Sequence, residues 1–370
     1  MSKQKICVYA ICKNEIKFID KWLESMSEAD YIVVLDTGST DGTYEKLKED
    51  PRVTLVEQKE IKPWRFDVAR NKSMELIPAD ADILVCTDFD EVFEPGWAAF
   101  LREHWNIGQY DRCYYTYAWK HGDMGEPQFV FVYDKIHTRE YKWFLPVHEV
   151  LMPLYEDRVE RVLDAGEEIY LHHYPDNSKP RSYYFDLLKV AVEENPNMSH
   201  VQLLLGREYM LKEEYEPAIE ELLKTLQVAD IEQSNEGKTL LQTLHYLGLS
   251  YKAVKNYDEA IWYCHEFIRV NPTYREPYFL LAHIFNDMQM YTLAKSMVET
   301  GIKYSTFKKD WVESESSWYL EDKVLLAAIC LNLREYDEAY ENSKAALEYK
   351  PDDVTLLKQY IACLEHRSTR

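Results

Sequence analysis

The second half of the chain repeats one pattern of small and aromatic residues, and this repetition limits the folds that it can adopt. A Leu followed by Gly or Ala recurs, and an aromatic residue and then an Ala follow each time. The four segments begin at Leu205, Leu247, Leu281 and Leu326. Tyr257 and Tyr291 are 34 residues apart, as are Ala260 and Ala294. This period is typical of stacked helix pairs, in which small residues allow close approach and aromatic residues fill the space between pairs.

The length of the chain and this change of pattern predict two domains. A chain of 370 residues exceeds the size of about 250 residues at which a single hydrophobic core stops growing. We expect an α/β domain over residues 1–180 and an all-α repeat domain, similar to tetratricopeptide (TPR) repeats, over residues 181–370. An irregular helical bundle is the alternative for the second domain.

Strand-like and helix-like segments alternate at the start of the chain. The apolar runs Lys5–Cys12 and Tyr31–Leu35 flank Ile16–Ser27, which has apolar residues at helical spacing. Another apolar run, Ile83–Cys86, follows the helical pattern of Val68–Leu76. This alternation predicts a mixed, mostly parallel sheet with helices on both faces. Ligands of such sheets bind beyond the carboxyl ends of the strands.

Later strand-like segments are rich in aromatic residues, and they predict an antiparallel extension of the sheet. They are Cys113–Trp119, Phe129–Tyr133, Lys142–Leu145 and Ile169–His173. We expect this extension to form the wall that faces a second substrate.

The composition excludes several classes of partner. The chain carries 43 Lys and Arg residues against 65 Asp and Glu residues, a net charge of −22, without a basic stripe. Binding to nucleic acid or to an anionic membrane requires clustered Lys and Arg, so neither is expected. Because the sequence has no run of about 18 apolar residues and no leader-like start, we expect no membrane span and a cytoplasmic protein. The seven Cys residues have no zinc-site spacing and indicate reduced core cysteines.

Two carboxylates follow the apolar run Ile83–Cys86 in the sequence TDFDE. Asp88 and Asp90 are two residues apart where a buried strand enters a loop, so both can offer oxygen atoms to a hard divalent cation. Acidic residues are also common in solvated loops and at helix caps, and this alternative stays open for the D-x-D pattern taken alone.

The segment DTGSTDGT, residues 36–43, follows the apolar run that begins at Tyr31. Its glycines permit a tight turn and the close approach of a ligand, and its hydroxyl and carboxylate groups can bind a base. They can equally cap the next helix, and both roles are compatible.

Four motifs in this order resemble family 2 glycosyltransferases: NE after the first strand, DTGSTDGT after the second, an aromatic residue with ARN in the next helix, and DFDE. The resemblance covers roughly residues 4–180 and implies a Rossmann-like GT-A fold. The repeats that follow resemble the subset whose catalytic domain carries a TPR-like tail, which includes protein and peptide S- and O-glycosyltransferases.

The resemblance implies which residues bind a nucleotide sugar, with a UDP-sugar as the expected donor. Asp36 corresponds to the carboxylate on the base, Arg70 to a cation near the base or diphosphate, and Asp88 to a contact with ribose or sugar. The full set is Ala10, Cys12, Asn14, Glu15, Asp36, Gly38, Ser39, Trp64, Arg70, Asn71, Asp88 and Phe89. Core packing is the alternative for Trp64.

The resemblance also implies a metal site. Asp90 corresponds to the carboxylate that holds Mn²⁺ or Mg²⁺, and His173 to a histidine that completes the site; an imidazole suits Mn²⁺ better than Mg²⁺. His172 points to the opposite side of the strand and should not reach the metal. A structural role is the alternative for both histidines.

The catalytic base is expected on the acceptor side, where Glu149 is the leading candidate with His148 beside it. A salt bridge or a bond to His148 is the alternative role for Glu149. Asp134 and Glu91 are weaker candidates for the base.

The implied activity is the inverting transfer of a hexosyl group to a protein, peptide or glycan acceptor, with a homodimer through the repeat domain as a further expectation. The segment that precedes ARN departs from the family at Arg65 and Asp67, and the sequence has no Q-x-x-R-W motif, which argues against a processive synthase. Two alternatives stay open: a TPR adaptor with a degenerate transferase domain, and a nucleotidyltransferase.

Overall fold

The computed structural model describes residues 4–122, 125, 127–176, 183–228, 230–231, 237–306 and 315–368. The chain divides into two compact units, Met1–Leu187 and Leu188–Arg370. The boundary predicted between residues 180 and 181 lies outside the described residues.

The first unit contains the strands and four of the helices. The strands are β1 Ile6–Cys12, β2 Tyr31–Asp36, β3 Leu55–Gln58, β4 Ile83–Cys86, β5 Glu91–Phe93, β6 Arg112–His121, β7 Pro127–His137, β8 Tyr141–Phe144, β9 Val150–Pro153, β10 Val162–Asp164 and β11 Tyr170–His173. The helices are α1 Ile19–Met26, α2 Thr43–Glu49, α3 Phe66–Met74 and α4 Trp97–His104. Helix α5, Tyr183–Glu194, follows them.

The main sheet has the order β3-β2-β1-β4-β7-β6-β11-β5, and β10 pairs with β6. Strand β1 is parallel to β2 and β4, whereas β7 is antiparallel to both β4 and β6. This confirms the predicted mixed sheet with a parallel half. The predicted extension is wrong in two places: β11 is parallel to β6, and β8 leaves the sheet to pair with β9.

Both faces of the parallel half are covered, which explains why its strands are almost continuously apolar. Every residue of β1 is buried. Trp22 of α1 and Trp97 of α4 belong to the core on one face, and Tyr9 and Trp143 belong to the core on the other.

Helix α1 begins at Ile19, three residues later than its apolar pattern predicts. The preceding amide groups bond the loop after β2 and the first residue of α2: Ile16 N donates to Asp41 Oδ2 at 3.2 Å, and Glu15 N donates to Thr43 Oγ1 at 2.8 Å. These bonds replace the first helical turn.

The second unit is a stack of helix pairs. Its helices are α6 Ser199–Leu211, α7 Tyr215–Thr225, α8 Lys238–Ala253, α9 Tyr257–Val270, α10 Glu276–Asp287, α11 Tyr291–Tyr304, α12 Glu315–Leu333, α13 Tyr336–Tyr349 and α14 Val354–Ser368. The first eight of these helices form four pairs, and one residue with positive φ turns the chain within each pair, at Glu213, Lys255, Gln289 and Arg334. This repeated turn confirms the predicted TPR-like architecture.

The glycines of the repeat lie where two helices meet. A Cβ atom at Gly206 would lie 2.7 Å from Leu222 Cγ, and one at Gly248 would lie 2.9 Å from Leu280 Cδ2. The Leu-Gly pattern therefore marks close helix contacts, as the sequence predicts. No helix within the described residues is both long enough and apolar enough to cross a bilayer.

Candidate active site

The loops that follow β1 and β2 are joined at the carboxyl edge of the sheet. Cys12 and Asp36 are paired in the strand register, so their loops start side by side. Asn14, whose φ is 58°, donates from its main-chain N to Ser39 Oγ at 2.8 Å and accepts the Thr40 amide at 2.8 Å. Asn is among the residues that adopt this conformation most readily. The first two motifs thus form one polar surface.

Asp36 is buried and organises this surface. Its Oδ1 accepts the amides of Gly38 and Ser39 at 2.9 and 2.8 Å and Gln58 Nε2 at 3.1 Å, and Cys12 Sγ lies 3.4 Å from its Oδ2. Burial raises the pKa of Asp36, but the hydrogen bonds from Ser39, Gly38 and Gln58 outweigh it and lower that pKa below its ordinary value. The contact of Asp36 with a base stays a prediction.

Arg70, in α3, connects two acidic groups from distant parts of the chain. Its Nε donates to Glu149 Oε1 at 2.5 Å, and its Nη2 lies 3.0 and 3.1 Å from the two oxygens of Asp88. Its Nη1 lies 3.2 Å from Cys86 Sγ, and the guanidinium lies 5.0 Å from the ring centre of Trp143. Burial lowers the pKa of Arg70, but Asp88 and Glu149 raise it well above its ordinary value. The guanidinium is therefore a fixed positive charge beneath the turn of residues 88–91, which carries Asp88, Asp90 and Glu91 and which we call the acidic turn.

Lys135, in β7, is a second buried cation at this turn, and the sequence analysis missed it. Its Nζ lies 3.3 Å from Asp88 Oδ2 and 3.9 Å from Glu91 Oε1. Lys135 follows Tyr133 by two residues in an aromatic strand, and its Nζ lies 4.7 Å from the centre of the Tyr133 ring. A lysine buried in such a strand requires a carboxylate partner. That pattern could have identified it.

The two cations set the charge of Asp88. Burial raises the pKa of Asp88, but Arg70 and Lys135 together hold it well below its ordinary value. Asp88 is therefore a carboxylate, and its side chain is about one-third exposed, at 34%. Its exposed side can face a ligand, while Arg70 and Lys135 balance its charge on the buried side.

Two of the candidate bases do not point to the exposed side of Asp88. Glu91 is 1% exposed and accepts both Tyr117 Oη at 2.9 Å and Asp88 N at 2.8 Å. Burial raises the pKa of Glu91 above its ordinary value. Asp134 forms an ion pair with Arg112, away from the Arg70–Asp88 pair. Glu149 lies next to the Arg70–Asp88 pair instead, with 12% of its side chain exposed.

Asp90 and His173 are brought together by the pairing of β11 with β5. His173 Nε2 lies 3.4 Å from Asp90 Oδ2, and its Nδ1 donates to the carbonyl of Trp119 at 3.2 Å. Burial lowers the pKa of His173, but the hydrogen bond with Asp90 raises it above its ordinary value. With Nδ1 held by a carbonyl, Nε2 and the carboxylate form a nitrogen and oxygen donor pair that fits Mn²⁺.

His172 lies on the other face of β11. Its Nε2 lies 3.0 Å from Glu94 Oε1, and its Nδ1 lies 2.8 Å from His121 Nε2. These contacts turn it away from Asp90. Elsewhere in the described residues, Cys330, Glu335 and Glu338 are the one group of three potential ligands close enough to share a metal, and the ammonium of Lys295 pairs with both glutamates.

Several residues predicted to bind the donor make contacts within the fold. Phe89 is 3% exposed and stacks on Trp22 at 4.2 Å, and the amide of Asn71 bonds the main-chain O and N of Trp143 at 2.8 and 3.0 Å. Trp64 packs edge-on against Phe66, with centroids 5.1 Å apart. Their roles in nucleotide-sugar binding stay predictions.

Ala10 and His148, two further predicted site residues, have structural roles. Ala10 is fully buried within β1. His148 has a φ of 50°, and its ring lies edge-on to Tyr184 at 6.2 Å. His148 therefore turns the chain just before Glu149, which sets the direction of that carboxylate.

Three solved structures that resemble the chain each cover just under half of it. A thermophilic TPR protein of Thermus thermophilus is 20% identical over 49% of this chain and 89% of that chain, with a TM-score of 0.37. MamA is 19% identical over 46% of this chain and 83% of that chain, with a TM-score of 0.35. YrrB, a TPR protein with an unusual peptide-binding site, is 16% identical over 47% of this chain and 80% of that chain, with a TM-score of 0.35.

The acidic turn and its neighbours lie within a recognised family domain. No curated protein matches the chain. Residues 7–145 match the model of Glycosyl transferase family 2, a span that runs from β1 to the end of β8 and includes Asp36, Arg70, Asp88 and Asp90. The first unit therefore contains a family 2 glycosyltransferase domain, and the protein is a glycosyltransferase.

Proposed function

We propose that this protein is an inverting, metal-dependent glycosyltransferase that moves a hexosyl group from a UDP-sugar to a protein, peptide or glycan acceptor. One observation carries the proposal: Arg70 bonds Asp88 and Glu149, and the same acidic turn holds Asp90 against His173. These groups come from separate segments of the chain. They meet beyond β4, at the edge where ligands of such sheets bind.

The charge of the site suits a diphosphate only if the carboxylates are balanced locally. The protein has a net charge of −22, so its general field repels an anionic donor. Arg70 and Lys135 provide two buried positive charges beneath the acidic turn. Because Arg70 already bonds Asp88 and Glu149, we propose that it acts on the donor mainly by fixing Asp88 and by its charge.

Asp90 and His173 would hold Mn²⁺ or Mg²⁺, and the remaining positions would be filled by diphosphate oxygens and water. A bound cation of this kind supplies Lewis-acid stabilisation of the leaving diphosphate. The nitrogen donor of His173 favours Mn²⁺.

Glu149 is the proposed base. Among the described residues, only its Oε1 forms a side-chain bond, to Arg70, which leaves Oε2 for the acceptor. The acceptor O–H or S–H gives its proton to this carboxylate while its lone pair attacks the anomeric carbon. The bond from that carbon to the diphosphate breaks, and its electron pair leaves with UDP, so the configuration inverts.

A panel of nucleotide sugars tests the proposal. Each would be incubated with the protein and Mn²⁺, and the release of nucleoside diphosphate would be measured. We expect one UDP-sugar to release UDP faster than the others, and chelation of the metal to stop the release. Failure of the protein to bind or hydrolyse any nucleotide sugar would contradict the proposal.

The variant Glu149→Gln tests the base. We expect it to bind UDP as the wild type does and to transfer sugar at least about a hundredfold more slowly. Asp134→Asn is the matched control, since Asp134 pairs with Arg112 and not with Arg70, and it should keep near-normal transfer. A mild effect of Glu149→Gln would show that another group removes the proton.

The acceptor class and the role of the second unit rest on the resemblance to transferases with TPR-like tails. A stack of helix pairs offers an extended surface for a peptide or protein. The homodimer through this unit stays a prediction.

A further inference from the structure

The hairpin of β6 and β7 carries a row of aromatic side chains on one face. Alternation along the strands places Tyr117 of β6 on that face, together with Phe131 and Tyr133 of β7. The strand register is irregular at Trp119, whose ring lies 6.1 Å from that of Tyr117. Tyr117 and Tyr133 stack at 4.3 Å, Phe131 meets Tyr117 edge-on at 5.2 Å, and Trp119 lies 6.5 Å from Phe131. We call these four residues the aromatic shelf.

The shelf is buried at one end and open at the other. Tyr117 is 1% exposed, and its hydroxyl donates to Glu91 of the acidic turn at 2.9 Å. Trp119, only two residues further along β6, is 42% exposed. The aromatic surface therefore runs from beneath the candidate active site out to solvent.

Trp119 is held in place by the candidate metal ligand. The rings of Trp119 and His173 stack with centroids 4.5 Å apart and planes inclined by 26°. The carbonyl of Trp119 also accepts His173 Nδ1 at 3.2 Å. An exposed indole is thus fixed directly beside the Asp90–His173 pair. A preorganised ring loses little conformational entropy when a ligand binds.

We propose that the aromatic shelf, through Trp119, binds a pyranose ring. This inference rests on the proposed function, because it assigns the surface next to the site of the donor diphosphate. A pyranose presents an apolar face of C–H groups and a polar rim of hydroxyl groups. An aromatic ring stacks on the apolar face, and the neighbouring polar groups can bond the rim.

The position of the shelf in the sheet gives a reason for a sugar ring at this place. The polar loops lie after β1 and β2 and the acidic turn after β4, while β7, β6 and β11 follow in sheet order. A donor that extends along this edge from its nucleotide through its diphosphate reaches the shelf with its sugar. The sugar of a glycan acceptor would meet the same surface from the far side, so the ring can come from donor or acceptor.

The test compares Trp119→Ala with the wild type in two arms. The first measures by calorimetry, with Mn²⁺ present, the affinity for UDP and for the UDP-sugar that the wild type hydrolyses fastest. The second measures by saturation-transfer NMR the binding of methyl β-D-glucopyranoside to the complex with UDP and Mn²⁺. Val132→Ala is the matched control, because Val132 is 66% exposed on the opposite face of the hairpin.

We expect Trp119→Ala to lower one of the two sugar signals about tenfold while its affinity for UDP stays within twofold of the wild type. Loss in the first arm assigns the ring to the donor, and loss in the second assigns it to the acceptor. Trp119→Phe keeps a ring and should restore most of the signal if the alanine variant folds poorly. Sugar signals equal to the wild type in both arms, or an equal fall for UDP and UDP-sugar, would overturn the proposal. A wild type that binds no nucleotide would instead refute the proposed function.

Discussion

Replacing Arg70 by Met should destabilise the first unit by about 3 kcal/mol. Removing one member of a buried ion pair costs about 3–5 kcal/mol, because the partner charge stays buried without compensation. The side chain of Arg70 is 4% exposed and that of Glu149 is 12% exposed, so Glu149 would lose its partner inside the protein. Asp88 would keep Lys135 at 3.3 Å, which places the cost at the lower end of the range.

Native-state hydrogen exchange measures this loss where it arises. A cost of about 3 kcal/mol corresponds to exchange roughly a hundredfold faster in peptides from β1 and β4, when exchange is limited by the equilibrium of opening. Peptides from α8 to α11 of the second unit provide an internal reference within the same sample. Adding Glu149→Gln to Arg70→Met should restore part of the protection, since it removes the unpaired charge.

Arg52→Met is the matched control for the loss of a guanidinium. Arg52 bonds both oxygens of Asp50, at 2.9 and 2.7 Å, but its side chain is 37% exposed. An exposed pair contributes about 0–1 kcal/mol. If Arg70→Met accelerated exchange by less than about tenfold, or no more than Arg52→Met does, the Arg70 network would behave as a solvated pair and the reasoning would fail.

Three further predictions concern other parts of the molecule. Burial lowers the pKa of His137 to about 3, so between pH 3 and the unfolded pKa of about 6.5 the unfolded state binds more protons than the folded state, and stability falls as the pH is lowered. From pH 7 to 5 the free energy of unfolding, measured by denaturant titration, should fall by about 2 kcal/mol more in the wild type than in His137→Gln. An equal fall in the two proteins would contradict this. Asp90→Asn should abolish Mn²⁺-dependent hydrolysis of the donor and leave the circular dichroism spectrum unchanged; near-normal hydrolysis would remove Asp90 from the site. Gly206→Ala should destabilise the repeat unit by about 1–2 kcal/mol, despite the better helix propensity of Ala, because its Cβ would meet Leu222 at 2.7 Å. A higher melting temperature for this variant would contradict the close contact.

The architecture could be predicted because its signals are local and repeated. Apolar runs fix the parallel strands β1, β2 and β4, and the recurring Leu-Gly pattern fixes the helix pairs. The start of α1 could not be predicted, since the amides of Glu15 and Ile16 bond a segment that is distant in sequence. The separation of β8 from the main sheet has a similar cause: the amide of Asn71 bonds both main-chain groups of Trp143, which ties β8 to α3.

The part of the candidate site that is local in sequence could be predicted. Asp88 and Asp90 are close in sequence, so their shared turn is visible in the motif. Lys135 belongs to no motif, and its role depends on the antiparallel pairing of β7 with β4.

The charges around the acidic turn give Asp88 and Asp90 different roles, which the D-x-D motif alone does not show. A carboxylate that faces a diphosphate would repel it, so the acidic turn needs positive charge on its inner side as well as a cation on its outer side. Arg70 and Lys135 meet Asp88 from within the fold, whereas Asp90 and His173 lie together where β5 pairs with β11. Asp88 is therefore balanced by the protein itself, which leaves Asp90 as the carboxylate available to a divalent ion. Exchanging the roles of the two residues would require Arg70 to release Asp88, and Asp88 would then have Lys135 as its remaining buried cation while Arg70 kept Glu149.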